Sequence, residues 1–359
     1  MTTGGEGGDM AKVREQGAEL NKTAQAMVAA GKGLLAADES TGTITRRFKA
    51  VGVESTEENR RDYRELLFRA EGLARYVSGV ILFDETIRQE AADGTPLVKI
   101  LQDTDVIPGI KVDKGAKPLA GSPGETVTEG LDGLRDRLAE YRELGARFTK
   151  WRAVIHIGDE TPTDYAIDVN AHALARYAAL SQEAGLVPIV EPEVLMDGSH
   201  TIERCYQVTE ATLREVFHQL ARQRVDLEGM VLKPNMVLSG SKASARADSA
   251  EVAEATIRCF RRAVPAAVPG IAFLSGGQSD EEATKNLDAI NRLASEVGVP
   301  WELTFSYGRG LQAAPQKAWA GKAENAKSTQ QALLHRARVT SAARKGGYTP
   351  ELETEGAPA

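Results

Sequence analysis

The 359-residue chain has few cysteines, few histidines and no long apolar run, and each scarcity excludes a class of protein. Two cysteines, Cys205 and Cys259, are too few for a disulfide framework and make no metal motif. No apolar run approaches the roughly 20 residues of a membrane-spanning helix, so no membrane partner is expected. The five histidines show no paired helical spacing, so we expect no metal. No glycine fingerprint of dinucleotide binding follows a strand, and we expect no cofactor.

The charge distribution and the N-terminal composition limit which binding partners and which cellular compartment are expected. The net charge is -7, and acidic and basic residues are mixed along the chain without a basic block. A nucleic-acid partner is therefore not expected. Residues 1–8 lack both the basic region and the apolar core of a signal peptide. We expect a cytoplasmic protein whose first residues, about 1–10, form a flexible N-terminus.

Short apolar segments alternate with longer amphipathic ones along the chain. Such near-continuous runs are typical of strands buried on both faces of a parallel sheet. Eight segments have this character: Gly33–Ala37, Val77–Phe83, Val106–Val112, Phe148–Ile155, Val187–Val190, Gly229–Leu232, Gly270–Leu274 and Trp301–Phe305. The alternation predicts an α/β fold and a single domain, and it favours a closed (β/α)8 TIM barrel over an open sheet. The barrel with its extensions would occupy residues 20–345.

Helix signals appear between the strands and after the last one. Thr126–Glu129 and Ser279–Glu282 match the capping box, which marks a helix start. Residues 170–184 and 248–264 are amphipathic, and residues 312–343 predict one long helical region beyond the barrel. We therefore expect N-terminal and C-terminal helical extensions. The polar stretch 346–359 is predicted to be a flexible tail.

Ionisable residues lie within or directly after almost every predicted strand. In a barrel of this type the active site lies at the carboxyl ends of the strands. A charged residue after one strand is usually a solvated loop side chain, but charges at most of these ends indicate a shared polar site. The residues at these ends include Asp38, Lys111, Lys150, Glu191 and Lys233.

Lys233 is the candidate nucleophile because it ends an apolar strand and precedes a proline. Burial disfavours the charged form of lysine and gives an amine that attacks carbonyls. Lys150 is predicted to face inward near the same end, where two close cations depress each other's pKa. Glu191 and Asp38 supply carboxyl groups for proton transfer. The alternative is a strand-end lysine whose ammonium group reaches solvent.

Glycines after the last two predicted strands favour an anion site. Gly276 and Gly277 follow the seventh strand, and Gly308 and Gly310 flank Arg309 after the eighth. Backbone N–H groups approach an anion closely at glycine, and arginine offers a planar fork for phosphate oxygens. We therefore predict a phosphate site, although such glycines can also serve only to turn the chain.

Seven segments together resemble class I fructose-bisphosphate aldolase, the metal-free Schiff-base form, over roughly residues 20–350. They are Lys32–Gly42, Gly109–Gly115, Lys150–Arg152, Pro188–Glu193, Leu232–Met236, Phe273–Gln278 and Thr304–Arg309. The resemblance implies reversible cleavage of fructose 1,6-bisphosphate into dihydroxyacetone phosphate and glyceraldehyde 3-phosphate. It also implies a homotetramer.

The resemblance also implies a role for each matched residue. Lys233 would form the Schiff base, and Glu191, assisted by Glu193, would act as general acid and base. Asp38 would take the hydroxyl proton, and Lys150 would stabilise charged intermediates. One phosphate would be held by Ser275, Gly276, Gly277, Ser306 and Arg309, and the other by Ser40, Arg47 and Lys111.

Two alternatives to the aldolase function remain open. A transaldolase-like activity on another phosphorylated sugar is disfavoured by the two phosphate clusters. A non-catalytic scaffold is disfavoured because no catalytic lysine or carboxylate is lost.

Animal members of the family end in a tyrosine that enters the active site, whereas this chain ends in residues 355–359 without one, and Tyr348 is the nearest. We therefore predict that Glu191, or a water it positions, returns the proton to the enamine. The glycine-rich start favours a bacterial member.

Overall fold

Eight parallel strands close into a barrel in this computed structural model, which describes residues 6–356. The predicted (β/α)8 TIM barrel is confirmed, and the strands follow one another around it in the order β1, β2, β3, β6, β7, β8, β9 and β10. Their bounds are β1 Gly33–Ala37, β2 Val77–Leu82, β3 Ile107–Lys111, β6 Phe148–Ile155, β7 Val187–Val194, β8 Val231–Leu232, β9 Gly270–Phe273 and β10 Glu302–Tyr307. Two short strands, β4 Ala116–Pro118 and β5 Thr126–Thr128, form a separate hairpin.

Helices alternate with the strands and surround the barrel. They are α1 Glu6–Met27, α2 Thr41–Ala50, α3 Glu57–Phe68, α4 Asp84–Ile87, α5 Leu97–Asp103, α6 Leu134–Glu143, α7 Asp164–Glu183, α8 Ile202–Arg222, α9 Ser249–Ala263, α10 Asp280–Val297, α11 Arg309–Trp319 and α12 Ala326–Arg344. Within residues 6–356, none of them combines the length and apolar character needed to cross a bilayer. The helical extensions predicted at both ends of the barrel are α1 and α12.

The helix start predicted at Thr126–Glu129 is wrong, because Thr126–Thr128 is strand β5. Long-range contacts decide the local structure: the Thr128 hydroxyl donates to the Arg152 carbonyl at 2.7 Å, and its N–H donates to Asn170 Oδ1 at 3.3 Å. Ser279, by contrast, is the N-cap of α10 as predicted, and its hydroxyl accepts from the Glu282 N–H.

The long C-terminal helix predicted from the sequence is two helices, α11 and α12. The first ends where Ala320 adopts a left-handed φ of 47°, and Gly321 follows at 74°. The flexible segments expected at the two ends of the chain stay predictions. Residues 6–10 belong to α1, while residues 1–5 and 357–359 lie outside the described residues. In the tail, Tyr348 is buried and the Glu353 carboxylate pairs with the buried Arg336.

A cluster of apolar side chains fills the lower part of the barrel interior, where α1 covers the bottom. Phe148 occupies the centre of this layer. Its ring lies so close to Gly109 that an added Cβ there would be 2.2 Å from a ring carbon, and 3.0 Å from the ring at Gly79. Only glycine fits at position 109, so packing against Phe148 explains the glycines at positions 109 and 79. The apolar layer leaves the upper end of the barrel for polar groups.

Candidate active site

Strand alternation places the charged side chains directly above the apolar layer. Successive residues of a strand face opposite sides, so residues two apart share the inner face. Four apolar side chains of the lower layer are each followed two residues later by a charged side chain that lines the upper cavity: Ala36 by Asp38, Phe148 by Lys150, Ile189 by Glu191 and Val231 by Lys233. The cavity they line has a volume of about 520 Å³.

Glu191 lies between two lysine ammonium groups at the base of this cavity. Its Oε1 is 3.2 Å from Lys233 Nζ, and its Oε2 is 3.1 Å from Lys150 Nζ. Lys150 Nζ also lies 2.7 Å from Asp38 Oδ2. The Glu191 and Lys233 side chains are each 4% exposed, so the whole group is withdrawn from solvent. Buried charges of this kind require partners, and here each has one.

The two carboxylates of the group are ionised. Burial raises the pKa of Asp38, but the attraction of Lys150, Lys233 and Lys111 outweighs burial and holds the pKa below its ordinary value. Burial likewise raises the pKa of Glu191, and Lys150, Lys233 and Arg152 bring it below the ordinary value. Both groups therefore begin as proton acceptors.

Lys150 carries a permanent positive charge, which corrects the expectation that its pKa is depressed. Burial lowers the pKa of Lys150, but Asp38, Glu191 and Asp113 together raise it above that of an ordinary lysine. The sequence places the lysines near one another but does not show how many carboxylates surround Lys150. This lysine is suited to stabilising negative charge rather than to attacking a carbonyl.

Glu193 lies one level above Glu191 on the inner face of β7 and pairs with Arg152 of β6. Burial lowers the pKa of Arg152, but Glu193, Glu191 and Asp113 together raise it by more, so the arginine stays charged. Asp113 accepts the Arg152 N–H at 3.2 Å, and its other oxygen is 3.4 Å from Lys111 Nζ. Glu193 and Arg152 thus form a second layer of ion pairs, above the layer that contains Lys150, Glu191 and Lys233.

The glycine loops predicted to bind phosphate line the opposite side of the same cavity. Ser275, Gly276 and Gly277 precede α10, while Gly308 and Arg309 stand at the start of α11. Gly276 and Gly277 have φ values of 50° and 87°, a conformation that favours glycine. Two helix N-termini therefore meet at this side and favour an anion.

Ser306 also lines this side, at the end of β10. Its hydroxyl oxygen is buried and has no hydrogen-bond partner among the described residues. A buried unpaired hydroxyl costs stability unless a ligand satisfies it, so Ser306 indicates a place for a ligand oxygen.

The second predicted phosphate set is only partly assembled at the cavity. Arg47 lines it, but Ser40 and Lys111 do not. Ser40 is the N-cap of α2 and its hydroxyl lies 3.3 Å from Thr43 Oγ1. Lys111 is close enough to lower the pKa of Asp38, so its charge still acts on the cavity.

Three residues of the site were missed or undervalued by the sequence argument. Arg46 and Arg152 line the cavity, and Glu39 lies below it, where it accepts from Arg47 and from Gln312 Nε2. The period-two alternation gives a signal for Arg152, which stands two residues after Lys150. The alternation gives no signal for Glu39, because its partner Gln312 comes from α11, which is distant in the sequence.

The cavity is electropositive although the chain is acidic overall. Six cationic side chains and three carboxylates line it, an excess of three positive charges against a net charge of -7 for the chain. Such a local field attracts anionic ligands and raises their rate of association. A buried amine beside a carboxylate, with an anion site across the cavity, suits a phosphorylated carbonyl compound.

Comparison with known proteins agrees with this chemistry. The family model for "Fructose-bisphosphate aldolase class-I" matches residues 19–358. The chain is 58% identical to "Probable fructose-bisphosphate aldolase class 1" of Xanthomonas campestris pv. campestris, over 92% of this chain and 98% of that protein. It is 54% identical to "Fructose-bisphosphate aldolase 4, cytosolic" of Arabidopsis thaliana, over 90% and 82% of the two chains.

A solved structure gives the same result for the fold. It is the fructose-bisphosphate aldolase of Plasmodium falciparum, solved in complex with TRAP and a small-molecule inhibitor. That chain superposes with a TM-score of 0.91 at 50% identity, over 93% of this chain and 96% of that one. The matches cover 82–98% of the length of each of these proteins. This chain therefore belongs to the class-I fructose-bisphosphate aldolase family.

Proposed function

We propose that Lys233 is the lysine that forms the Schiff base in the reaction of this family. That reaction is the reversible cleavage of fructose 1,6-bisphosphate into dihydroxyacetone phosphate and glyceraldehyde 3-phosphate. The observation that carries the proposal is the position of Glu191 between the Lys233 and Lys150 ammonium groups, at 3.2 and 3.1 Å. Of the two lysines, Lys150 is held charged by three carboxylates, which leaves Lys233 to react.

Glu191 would carry the protons during formation of the imine. It starts as a carboxylate, so it accepts a proton from the Lys233 ammonium at 3.2 Å. The free amine attacks the ketone carbon, and the carbonyl oxygen takes up that proton. Glu191 next removes a proton from the new C–N nitrogen and delivers it to the hydroxyl, which leaves as water. The product is a protonated imine, with Lys150 as the fixed cation beside it.

Asp38 would act as the base in carbon–carbon cleavage. Its carboxylate is ionised and lies against Lys150 on the side of the cavity formed by β1. It removes the proton of the C4 hydroxyl, the C3–C4 bond breaks, and the electron pair enters the protonated imine to give an enamine. The aldehyde product leaves with the C4 oxygen as its carbonyl. The imine is the electron sink in this step.

Return of a proton to the enamine carbon would again involve Glu191 or a water that it positions. Glu191 is the carboxyl group in ion-pair contact with Lys233, the residue that carries the enamine. Water then adds to the restored imine, and dihydroxyacetone phosphate leaves as Lys233 returns to its amine form. Glu193, paired with Arg152 above, would assist by holding that arginine at the cavity wall.

The two phosphates would be bound by different sets of residues around the cavity. One is assigned to the loops of Ser275, Gly276 and Gly277 and of Ser306 and Arg309, and the other to the side of Ser40, Arg47 and Lys111. The excess of cationic side chains supports a doubly phosphorylated substrate. We further propose a homotetramer in the cytoplasm, on the family resemblance and on the name of the cytosolic Arabidopsis relative.

Borohydride trapping tests the assignment directly. The chain is reduced with borohydride in the presence of dihydroxyacetone phosphate, and the modified peptide is mapped by mass spectrometry. We expect one adduct, on Lys233, and none in Lys233→Arg. The control is Lys285→Arg, an exposed lysine of α10 that pairs with Glu281. An adduct on another residue, or no adduct in an enzyme that loses its activity to a chelator, would overturn the proposal.

A further inference from the structure

We propose that Gln278 and Asn286 are positioning residues that hold the phosphate loop Ser275–Gly277 and the Arg309 guanidinium in one arrangement. The inference rests on the proposed function, because it takes that loop and Arg309 as phosphate ligands. Gln278 is 1% exposed and Asn286 3%, and neither lines the cavity. Their effect on a ligand is therefore exerted through the residues they hold.

The Gln278 side chain ties the loop to helix α10. Its Nε2 donates to the Ser275 carbonyl at 3.0 Å, and its Oε1 accepts from Asn286 Nδ2 at 2.7 Å. The Gln278 N–H donates to the same Ser275 carbonyl at 3.1 Å, which closes the turn. Asn286 is buried in the body of a helix of 18 residues, so the loop is fastened to a rigid element.

The main chain of the same residue fixes Arg309. One guanidinium nitrogen of Arg309 donates to the Gln278 carbonyl at 2.7 Å. Arg309 is otherwise exposed, and an exposed arginine loses much rotamer entropy when it binds a ligand. The bond to Gln278 pre-organises the guanidinium before the ligand arrives, which lowers the cost of binding.

The loop needs such support because of its own sequence. Gly276 and Gly277 are adjacent and both have positive φ, and glycine is the residue with the greatest backbone freedom. Without a tie at its C-terminal end, the loop would sample many conformations in which the N–H groups no longer converge. The Asn286–Gln278–Ser275 chain of hydrogen bonds supplies that tie and links it to Arg309.

The test separates binding of the phosphate from binding of the ketone. The concentration that half-saturates borohydride inactivation is measured for dihydroxyacetone phosphate and for dihydroxyacetone, which lacks the phosphate. Two variants remove the tie: Asn286→Ala, and Gln278→Met, which keeps the shape and the main-chain carbonyl. The control is Asn291→Ala in the same helix, where Asn291 Nδ2 donates to the Leu287 carbonyl.

In both variants we expect the half-saturating concentration to rise about tenfold for dihydroxyacetone phosphate and to stay unchanged for dihydroxyacetone. The control should match the parent chain for both ketones. Equal values for the variants and the parent overturn the inference, and so does an equal rise for both ketones, which would indicate general damage. Failure of the parent chain to form a Lys233 adduct with either ketone would instead sink the proposed function.

Discussion

Lys150 Nζ lies 2.7 Å from Asp38 Oδ2, although Lys150 lies within β6 and Asp38 directly follows β1, more than a hundred residues earlier. Both are nearly buried, with side-chain exposures of 5% and 12%. Each helps the other to remain charged, together with the neighbouring lysines and carboxylates, since an isolated charge at this depth would be neutralised. In this pair Lys150 stays a cation, and under the proposed function Lys233 is left as the reacting amine.

Asp38→Asn should stop carbon–carbon cleavage without preventing imine formation. The amide cannot accept the C4 hydroxyl proton, so we expect kcat to fall by about 10²–10⁴. Borohydride trapping of dihydroxyacetone phosphate on Lys233 should persist, because the Lys233–Glu191 contact does not involve Asp38. Steady-state cleavage and adduct mapping measure the two steps. Asp103→Asn, at an exposed pair with Lys99, is the control. Retained cleavage in Asp38→Asn would remove Asp38 from the mechanism.

Low pH should destabilise the fold through the same carboxylates. The pKa values of Asp38 and Glu191 are lowered in the folded state, so the unfolded chain binds more protons as pH falls below the ordinary values of 3.8 and 4.5. Each such group contributes stability above its unfolded pKa and loses it as pH falls toward the folded pKa. The free energy of unfolding should therefore decrease with falling pH below 4.5.

Denaturant titrations at a series of pH values and constant protein concentration measure this slope. One fewer proton corresponds to about 1.4 kcal/mol per pH unit, so Asp38→Asn should show a shallower slope by up to that amount below pH 3.8. An identical slope in the variant would mean that Asp38 is not held ionised by its lysine partners.

The sequence was sufficient for those parts of the fold that depend on local pattern. The strands Gly33–Ala37 and Phe148–Ile155 have the predicted bounds, because each is a run whose apolar residues are bounded by polar or turn residues. The strand-end position of Lys233 follows from the same apolar runs, and the glycine pair at 276 from its place after the seventh run. A run of apolar residues is recognised without knowledge of the rest of the chain.

Most of the sequence predictions that were wrong depend on contacts between segments that are distant in the chain. The Thr126–Glu129 motif fits both a helix cap and a strand, and the bonds of Thr128 to Arg152 and Asn170 select the strand. The pKa direction of Lys150 depends on Asp38, more than a hundred residues earlier. The break at Ala320 is different, because Gly321 directly after it is a local helix-end signal that the sequence prediction overlooked.

Ser306→Ala should weaken substrate binding without lowering stability. The Ser306 hydroxyl is buried and unpaired among the described residues, so its removal takes away an unsatisfied group. If a phosphate oxygen satisfies this hydroxyl, KM for fructose 1,6-bisphosphate should rise about tenfold, while kcat changes little.

Steady-state kinetics and thermal unfolding test this prediction together. The matched control is Ser328→Ala, which loses a 2.9 Å bond from its hydroxyl to the Asn325 carbonyl and should lower stability while leaving KM unchanged. An unaltered KM in Ser306→Ala would exclude the hydroxyl from phosphate binding.

Ending the chain after Pro350 should cost stability but leave catalysis nearly intact. The truncation removes Glu353, whose carboxylate pairs with Arg336, and the Arg336 side chain is only 7% exposed. Loss of that partner should lower the free energy of unfolding by about 1–3 kcal/mol. The remaining contacts of Arg336, to Thr284 Oγ1 at 3.0 Å and the Asp280 carbonyl, still anchor it to the N-terminal part of α10.

Catalysis should persist because Glu191, rather than a group of the tail, is proposed to protonate the enamine. The direct measurement is the rate at which solvent hydrogen enters dihydroxyacetone phosphate, which reports imine formation and proton transfer at the enamine carbon without carbon–carbon cleavage. Glu353→Gln serves as the control, since it keeps the tail but removes the ion pair, and it should reproduce most of the stability loss. A drop of about a hundredfold or more in exchange for the truncated chain, but not for Glu353→Gln, would assign the proton transfer to the tail and away from Glu191.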